Sequence, residues 1–210
     1  MAGRARIEAP SRPVTYEEWR ATASESRQSE WVDGEVIEFM PTKLAHALAS
    51  GLLMRLLAWF VERHDVGVVI GPPFEMRLVR SAREPDILFV AAANLDRLGD
   101  LRLDGPADLV VELISDDSVA RDRVEKRAEY EAAGVREYWI HDPRPGRQGF
   151  ELLVLGDDGH YAPVAPDATG RFHSAVLPGL WIDPAWIRRD PLPKLTELTD
   201  AVAAGERAAR

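Results

Sequence analysis

Glu112 interrupts the apolar run Asp108-Leu-Val-Val-Glu-Leu-Ile114, a strand whose pattern predicts cover on both faces. A carboxylate in that setting is costly unless it is paired, protonated or bound to a metal. Two readings are open from the strand alone: a site acid, or an edge-strand or salt-bridged glutamate. Asp86 follows Pro85 at the mouth of the preceding strand, Pro85-Asp-Ile-Leu-Phe-Val90. By itself it reads equally as a Pro-Asp turn residue capping its own backbone. Adjacent strands that each present a carboxylate near one end can bring their oxygens close together. Such a pair does not stay doubly ionised without a cation, and hard oxygen ligands suit Mg2+ or Mn2+. Lys126 is the third candidate. Asp122, Lys126 and Tyr130 recur at four-residue spacing on one helix face, so Lys126 is either a surface partner of Asp122 or a functional ammonium. Only three of the 26 basic residues are lysines, Lys43, Lys126 and Lys194, and Arg121, Arg123 and Arg127 surround the second of them. A compact ammonium that can hold a water or a phosphate oxygen differs chemically from a planar guanidinium.

The elements that must position these groups follow from local pattern. Thr15-Tyr-Glu-Glu18 has capping-box spacing and predicts a short helix towards Ala23. Asp33-Gly34 lies between the apolar-bearing arms of Trp31–Met40 and predicts a two-residue hairpin. Leu48, Leu52, Leu56, Leu57 and Phe60 predict a long amphipathic helix from Leu44 to Glu62. Strands are expected at Val66–Ile70, Phe74–Val79, Pro85–Val90, Asp108–Ile114 and Glu137–Asp142, with a loop holding at most one helical turn over 92–107. Ser115–Ser118 caps a helix bearing Ala120, Val124, Ala128 and Ala132, which Gly134 closes. That helix begins a few residues past the Glu112 strand, and Lys126 lies about two turns, roughly 11 Å, along it. Packed back along the sheet, it returns Lys126 to the level of Glu112. Phe150–Leu155 and Tyr161–Ala165 form a hairpin, and Leu177–Trp181 ends the compact part. The order of elements indicates an α/β or α+β fold, a mixed sheet flanked by helices. One domain is expected over 15–190, with 1–14 and 191–210 as loosely attached termini.

These segments resemble, in order, the Uma-type restriction endonucleases, a branch of the PD-(D/E)XK nuclease superfamily. The resemblance is carried by Trp31-Val-Asp-Gly-Glu-Val-Ile-Glu, by His46 opening a long helix, and by Glu84-Pro-Asp-Ile-Leu-Phe-Val90. It continues through Gly105-Pro-Ala-Asp-Leu-Val-Val-Glu-Leu-Ile-Ser115, Asp122–Tyr130 and Gly134–Pro143, and spans about residues 15 to 183. It implies a restriction-endonuclease-like core with an added N-terminal hairpin and a C-terminal β-hairpin. It also implies phosphodiester cleavage in DNA with Mg2+ or Mn2+, Asp86 and Glu112 serving as catalytic acids and metal ligands. The superfamily's lysine stands two residues past the second acid, where this chain has Ile114. Lys126 then stands for a relocated lysine, or else the chain binds without cutting. The superfamily's acid on the first core helix is absent from Leu44–Leu52, leaving His46 or hairpin Glu35 as substitutes.

Composition narrows the alternatives. There is no cysteine, which excludes disulfide scaffolds, Cys-ligated zinc and thiol nucleophiles. His64, His141, His160 and His173 show no zinc-ligand spacing. Runs such as Leu109–Ile114 are too short to cross a bilayer, and Met1–Glu8 lacks the apolar stretch of a signal peptide, so a cytoplasmic location without membrane contact is expected. The net charge of −9 argues against a general electrostatic grip on nucleic acid. A local basic patch of Arg77, Arg80, Arg83, Arg121, Arg123 and Arg127 is expected in its place. Cutting both strands of a duplex is simplest with two sites on a two-fold axis, so a homodimer is expected. The rival readings are an inactive nuclease-fold binding or regulatory module, and a hydrolase that uses the same carboxylates without metal.

Overall fold

The computed structural model describes residues 12–22, 29–38, 43–116, 118–144, 146–147 and 149–208. The capping box forms as its spacing predicts: the Glu18 amide donates to Thr15 Oγ1 at 3.1 Å and the Thr15 amide to Glu18 Oε2 at 2.9 Å. Helix α1 (Tyr16–Thr22) starts there and buries Trp19. Strands β1 (Ser29–Val32) and β2 (Glu35–Glu38) pair around Asp33 and Gly34, both at positive φ. A Cβ on Gly34 would lie 2.5 Å from that of Pro13, so only glycine fits this turn. Residues 39–42, at the end of the expected second arm, lie outside the described residues.

Helix α2 (Leu44–His64) buries Leu52, Leu53, Leu56, Leu57, Phe60 and Val61 on one side. It is long and apolar enough to cross a membrane, a length the shorter runs lack, but these six side chains are packed in the core. After it come β3 (Gly67–Ile70), β4 (Glu75–Arg77), β5 (Ser81–Arg83), β6 (Ile87–Ala91), β7 (Arg102–Asp104) and β8 (Leu109–Leu113). A π-helical stretch, Arg121–Glu125, runs into α3 (Lys126–Ala133). The chain continues through β9 (Glu137–Asp142), β10 (Gly149–Leu155), β11 (Tyr161–Pro163), β12 (Phe172–His173), β13 (Trp181–Ile182), α4 (Pro184–Ile187) and α5 (Leu195–Ala208).

The main sheet has the order β11-β10-β9-β8-β6-β3, antiparallel except for the central β8–β9 pair, which α3 connects as a crossover. The second sheet, β2-β1-β5-β4-β7, carries the N-terminal hairpin, and β12 pairs with β13 separately. Side-chain alternation along β8 divides the core. Leu109, Val111 and Leu113 pack with α2 and α5, whereas Val110 meets Tyr130 of α3, Tyr138 of β9 and Met76 and Leu103 of the second sheet.

Two expectations are corrected. The 92–107 segment holds strand β7 besides a 3-10 turn over Ala92–Arg97, because Leu103 is buried where β7 pairs in parallel with β4. The 191–210 stretch, expected to be a loose terminus, is docked over its described residues: α5 lies against α2, and its Leu198 and Val202 are in the core, while 209–210 lie outside the described residues. The Pro- and Arg-rich approach to α5 hides an amphipathic helix whose partner is far away in sequence.

Candidate active site

Register brings the two acids together. Asp86 stands one residue before the cross-strand pair Ile87–Val111, and Glu112 one residue after it. Asp86 Oδ2 accepts the amide of Leu113 at 2.8 Å. The carbonyl of the same residue accepts His46 Nε2–H at 3.0 Å, which fixes the proton on that ring nitrogen. His46 Nε2 is also 3.4 Å from Asp86 Oδ2. The Leu113 peptide thus links α2, β6 and β8 beside Glu112. Burial would lower the His46 pKa, but the Asp86 carboxylate and the Leu113 carbonyl outweigh it and hold the ring above its ordinary value.

Glu112 is 4 % exposed, in a strand flanked on both sides. Its Oε1 accepts Lys126 Nζ at 2.8 Å and Tyr130 OH at 2.9 Å. Burial pushes its carboxyl up to about 8; Lys126 pulls the other way, and Asp122, Asp86 and Glu30 add to the rise. Lys126 is 3 % exposed, so it is no surface partner of Asp122. The π-helical turn accounts for its reach: the Lys126 amide bonds to the Arg121 carbonyl five residues back, which turns Asp122, Lys126 and Tyr130 inward. The apolar row turns outward instead, with Val124 65 % exposed. Lys126 Nζ lies 3.7 Å from Asp122 Oδ1 and 3.2 Å from Glu30 Oε1. Burial disfavours the ammonium, yet Glu112, Glu30 and Asp122 hold its pKa above the ordinary lysine value.

The four residues singled out from sequence, Asp86, Glu112, Lys126 and His46, therefore lie in one neighbourhood. Hairpin Glu35 does not join them; it is exposed on edge strand β2. The hairpin acid that reaches the site is Glu30, completely buried on β1. Sequence reasoning missed it because its burial comes from β5 and α3, which lie remote in the chain, and no spacing marks it. Burial pushes Glu30 up, but Lys126 and Arg83 prevail and keep its carboxyl below the ordinary range. Asp122 is also buried, and burial raises its pKa despite Lys126. Acids consequently outnumber bases: Glu30, Glu112, Asp122 and Asp86 face Lys126 and Arg83.

Four of the six arginines expected to form a basic patch are engaged with other groups of the protein. Arg83 is buried and bonded to Glu30 and Glu129. Arg77 lies over the rings of Tyr16 and Trp31, Arg80 pairs with Asp33, and Arg123 pairs with Glu151. Of these only Arg83 is drawn inside by buried acid; the Arg80 and Arg123 pairs stay accessible to water. His141, opposite Leu113 on β9, is buried and held by the Gly149 carbonyl, and burial lowers its pKa to about 4.

Among the described residues no three His, Asp or Glu side chains converge as a ready-made metal cage. The donor chemistry nevertheless suits Mg2+, which is commonly held by one or two carboxylates and completed by waters and substrate phosphates. Asp86 and Glu112 supply two hard oxygen donors, and the excess of buried negative charge favours a cation.

A family model described as "Uma2: Putative restriction endonuclease" matches residues 13–185. Among solved structures, "a putative nuclease belonging to DUF820" from Anabaena variabilis superposes with a TM-score of 0.69 over 84% of this chain and 98% of that one, at 14% identity. At that identity the likeness is one of fold. No curated protein matches the chain.

Proposed function

The chain belongs to the Uma2 family, and from that membership and its buried acid–lysine cluster we propose that it is an endonuclease that hydrolyses DNA phosphodiester bonds with Mg2+ or Mn2+. Asp86 and Glu112 would hold the cation, which supplies charge to polarise a phosphate and to lower the pKa of an attacking water. The protein's own groups prepare the site around them. His46 and the Leu113 amide hold Asp86 in place. Lys126 fixes one oxygen of Glu112, and its ammonium would offset negative charge developing on a phosphate held at the cation. Tyr130 donates to the same Glu112 oxygen and limits its rotation.

One observation carries this reading: the 2.8 Å contact between Lys126 and Glu112. Ile114 occupies the superfamily's usual lysine position, and Lys126 reaches the same acid from the helix that follows. An inert remnant of a nuclease has no need to keep a buried lysine on its acid, since an apolar replacement for a buried ion pair is often neutral or stabilising. DNA is the proposed substrate and a homodimer the proposed assembly. The test is nicking of supercoiled plasmid by wild type and Asp86→Ala, with Mg2+, with Mn2+ and with chelator. Metal-dependent nicking that disappears in Asp86→Ala is expected. Wild type that never nicks under any divalent metal would refute the enzyme reading and favour a binding module.

A further inference from the structure

Glu30 comes from the second sheet, outside the one that carries Asp86 and Glu112, yet its carboxylate ends in their cluster. Three donors share its two oxygens. Oε1 lies 3.2 Å from Lys126 Nζ and accepts the Glu84 amide at 3.1 Å, and Oε2 accepts Arg83 Nη1 at 2.9 Å. Arg83 is held in turn by Glu129. The Glu30 carboxylate is thus fixed independently of Lys126, whereas the ammonium stands between two close acceptors, Glu112 at 2.8 Å and Glu30 at 3.2 Å, with Asp122 farther off at 3.7 Å. A carboxylate that takes up a divalent cation gives lone pairs and charge to it, and an ammonium alongside is then repelled. A buried ammonium without another acceptor would be strongly disfavoured.

We propose that Glu30 is a positioning residue of the site: it is the fixed second acceptor that keeps Lys126 in place when Glu112 is engaged by a divalent cation. The N-terminal hairpin is then a working part of the site and not an appendage. This rests on the reading of Asp86 and Glu112 as the cation-holding pair. Glutamine at position 30 keeps the shape and one accepting oxygen, for the Glu84 amide or for Arg83, but it loses the charge that Lys126 needs.

The experiment is Mn2+ titration calorimetry on the full chain for wild type, Glu30→Gln and Glu129→Gln. Glu129→Gln removes one negative charge from the same network at a residue that Lys126 does not touch. Glu30→Gln is expected to weaken Mn2+ binding by roughly tenfold or more, and Glu129→Gln by less than about threefold. Equal losses in the two variants, or no loss in Glu30→Gln, overturn the proposal. Should Glu30→Gln fail to fold, a wild-type crystal soaked in Mn2+ decides the matter. Lys126 Nζ is then expected nearer to Glu30 than to Glu112, and an unreversed order with Mn2+ on Glu112 overturns the proposal. Wild type that binds no Mn2+ at Asp86 and Glu112 removes the cation-site reading itself, a failure distinct from that of Glu30 alone.

Discussion

Replacing Glu112 by glutamine is expected to stabilise the metal-free protein near neutral pH and to change little in acid. Burial holds the Glu112 carboxyl at about 8, against an ordinary value of 4.5. Between those values the folded state keeps a proton that the unfolded chain has released, so stability falls as pH rises through the window. It is fully present below pH 4.5 and stops falling above 8. The slope approaches about 1.4 kcal/mol per pH unit, which gives a loss of about 3 kcal/mol by pH 7 and at most about 5 kcal/mol by pH 8. Glu112→Gln mimics the protonated acid, with an oxygen that still accepts Lys126 and Tyr130 but no titrating group. Glu30 and Asp122 remain to balance the ammonium. The assay is urea unfolding at pH 4.5, 6, 7 and 8 with chelator present. The two proteins are expected to coincide at pH 4.5 and to diverge by about 3 kcal/mol at pH 7, a difference in Tm of roughly 6–12 °C for a chain of this size. Added Mn2+ should narrow the gap, because it binds the folded wild type only. Parallel pH profiles for the two proteins would refute the buried-proton argument.

Lys126→Arg is expected to lose at least about two orders of magnitude in plasmid nicking, because a planar fork cannot replace a point charge in a buried site; nicking at the wild-type rate would remove Lys126 from the mechanism. Lys126→Ala should in addition unfold more easily by about 3–5 kcal/mol in chemical denaturation, since it leaves the buried Glu30 and Asp122 without their ammonium. A chain ending at Lys194 loses Leu198 and Val202 from the core, and its circular-dichroism melt should show a loss of about 4 kcal/mol; an unchanged melt would mean that α5 is not docked in solution. Light scattering at micromolar concentration is expected to give twice the chain mass of 23.4 kDa, and a monomer would refute the proposed dimer.

Several features with a local cause were legible in the chain alone. The Thr15–Glu18 cap, the Asp33-Gly34 turn, the leucine spacing of α2 and the left-handed close at Gly134 each depend on residues within a few positions of one another. The same held for the suspicion attached to Glu112, because a charge within an apolar strand is visible without any partner. Lys126 was legible in part: its rarity and its distance along the helix pointed back towards Glu112, but whether it faced water or the sheet depended on a π-helical turn that no spacing announces. Glu30, β7 and α5 were settled only by tertiary structure. Burial of Glu30 needs β1 beside β5 and α3, β7 needs a parallel partner in β4, and α5 needs the face of α2. The arginines showed the same dependence in reverse. Sequence could count them as a basic patch, but an ion pair forms where the fold brings opposite charges together, and Arg83 was drawn inside by two acids that lie 53 and 46 residues away in the chain.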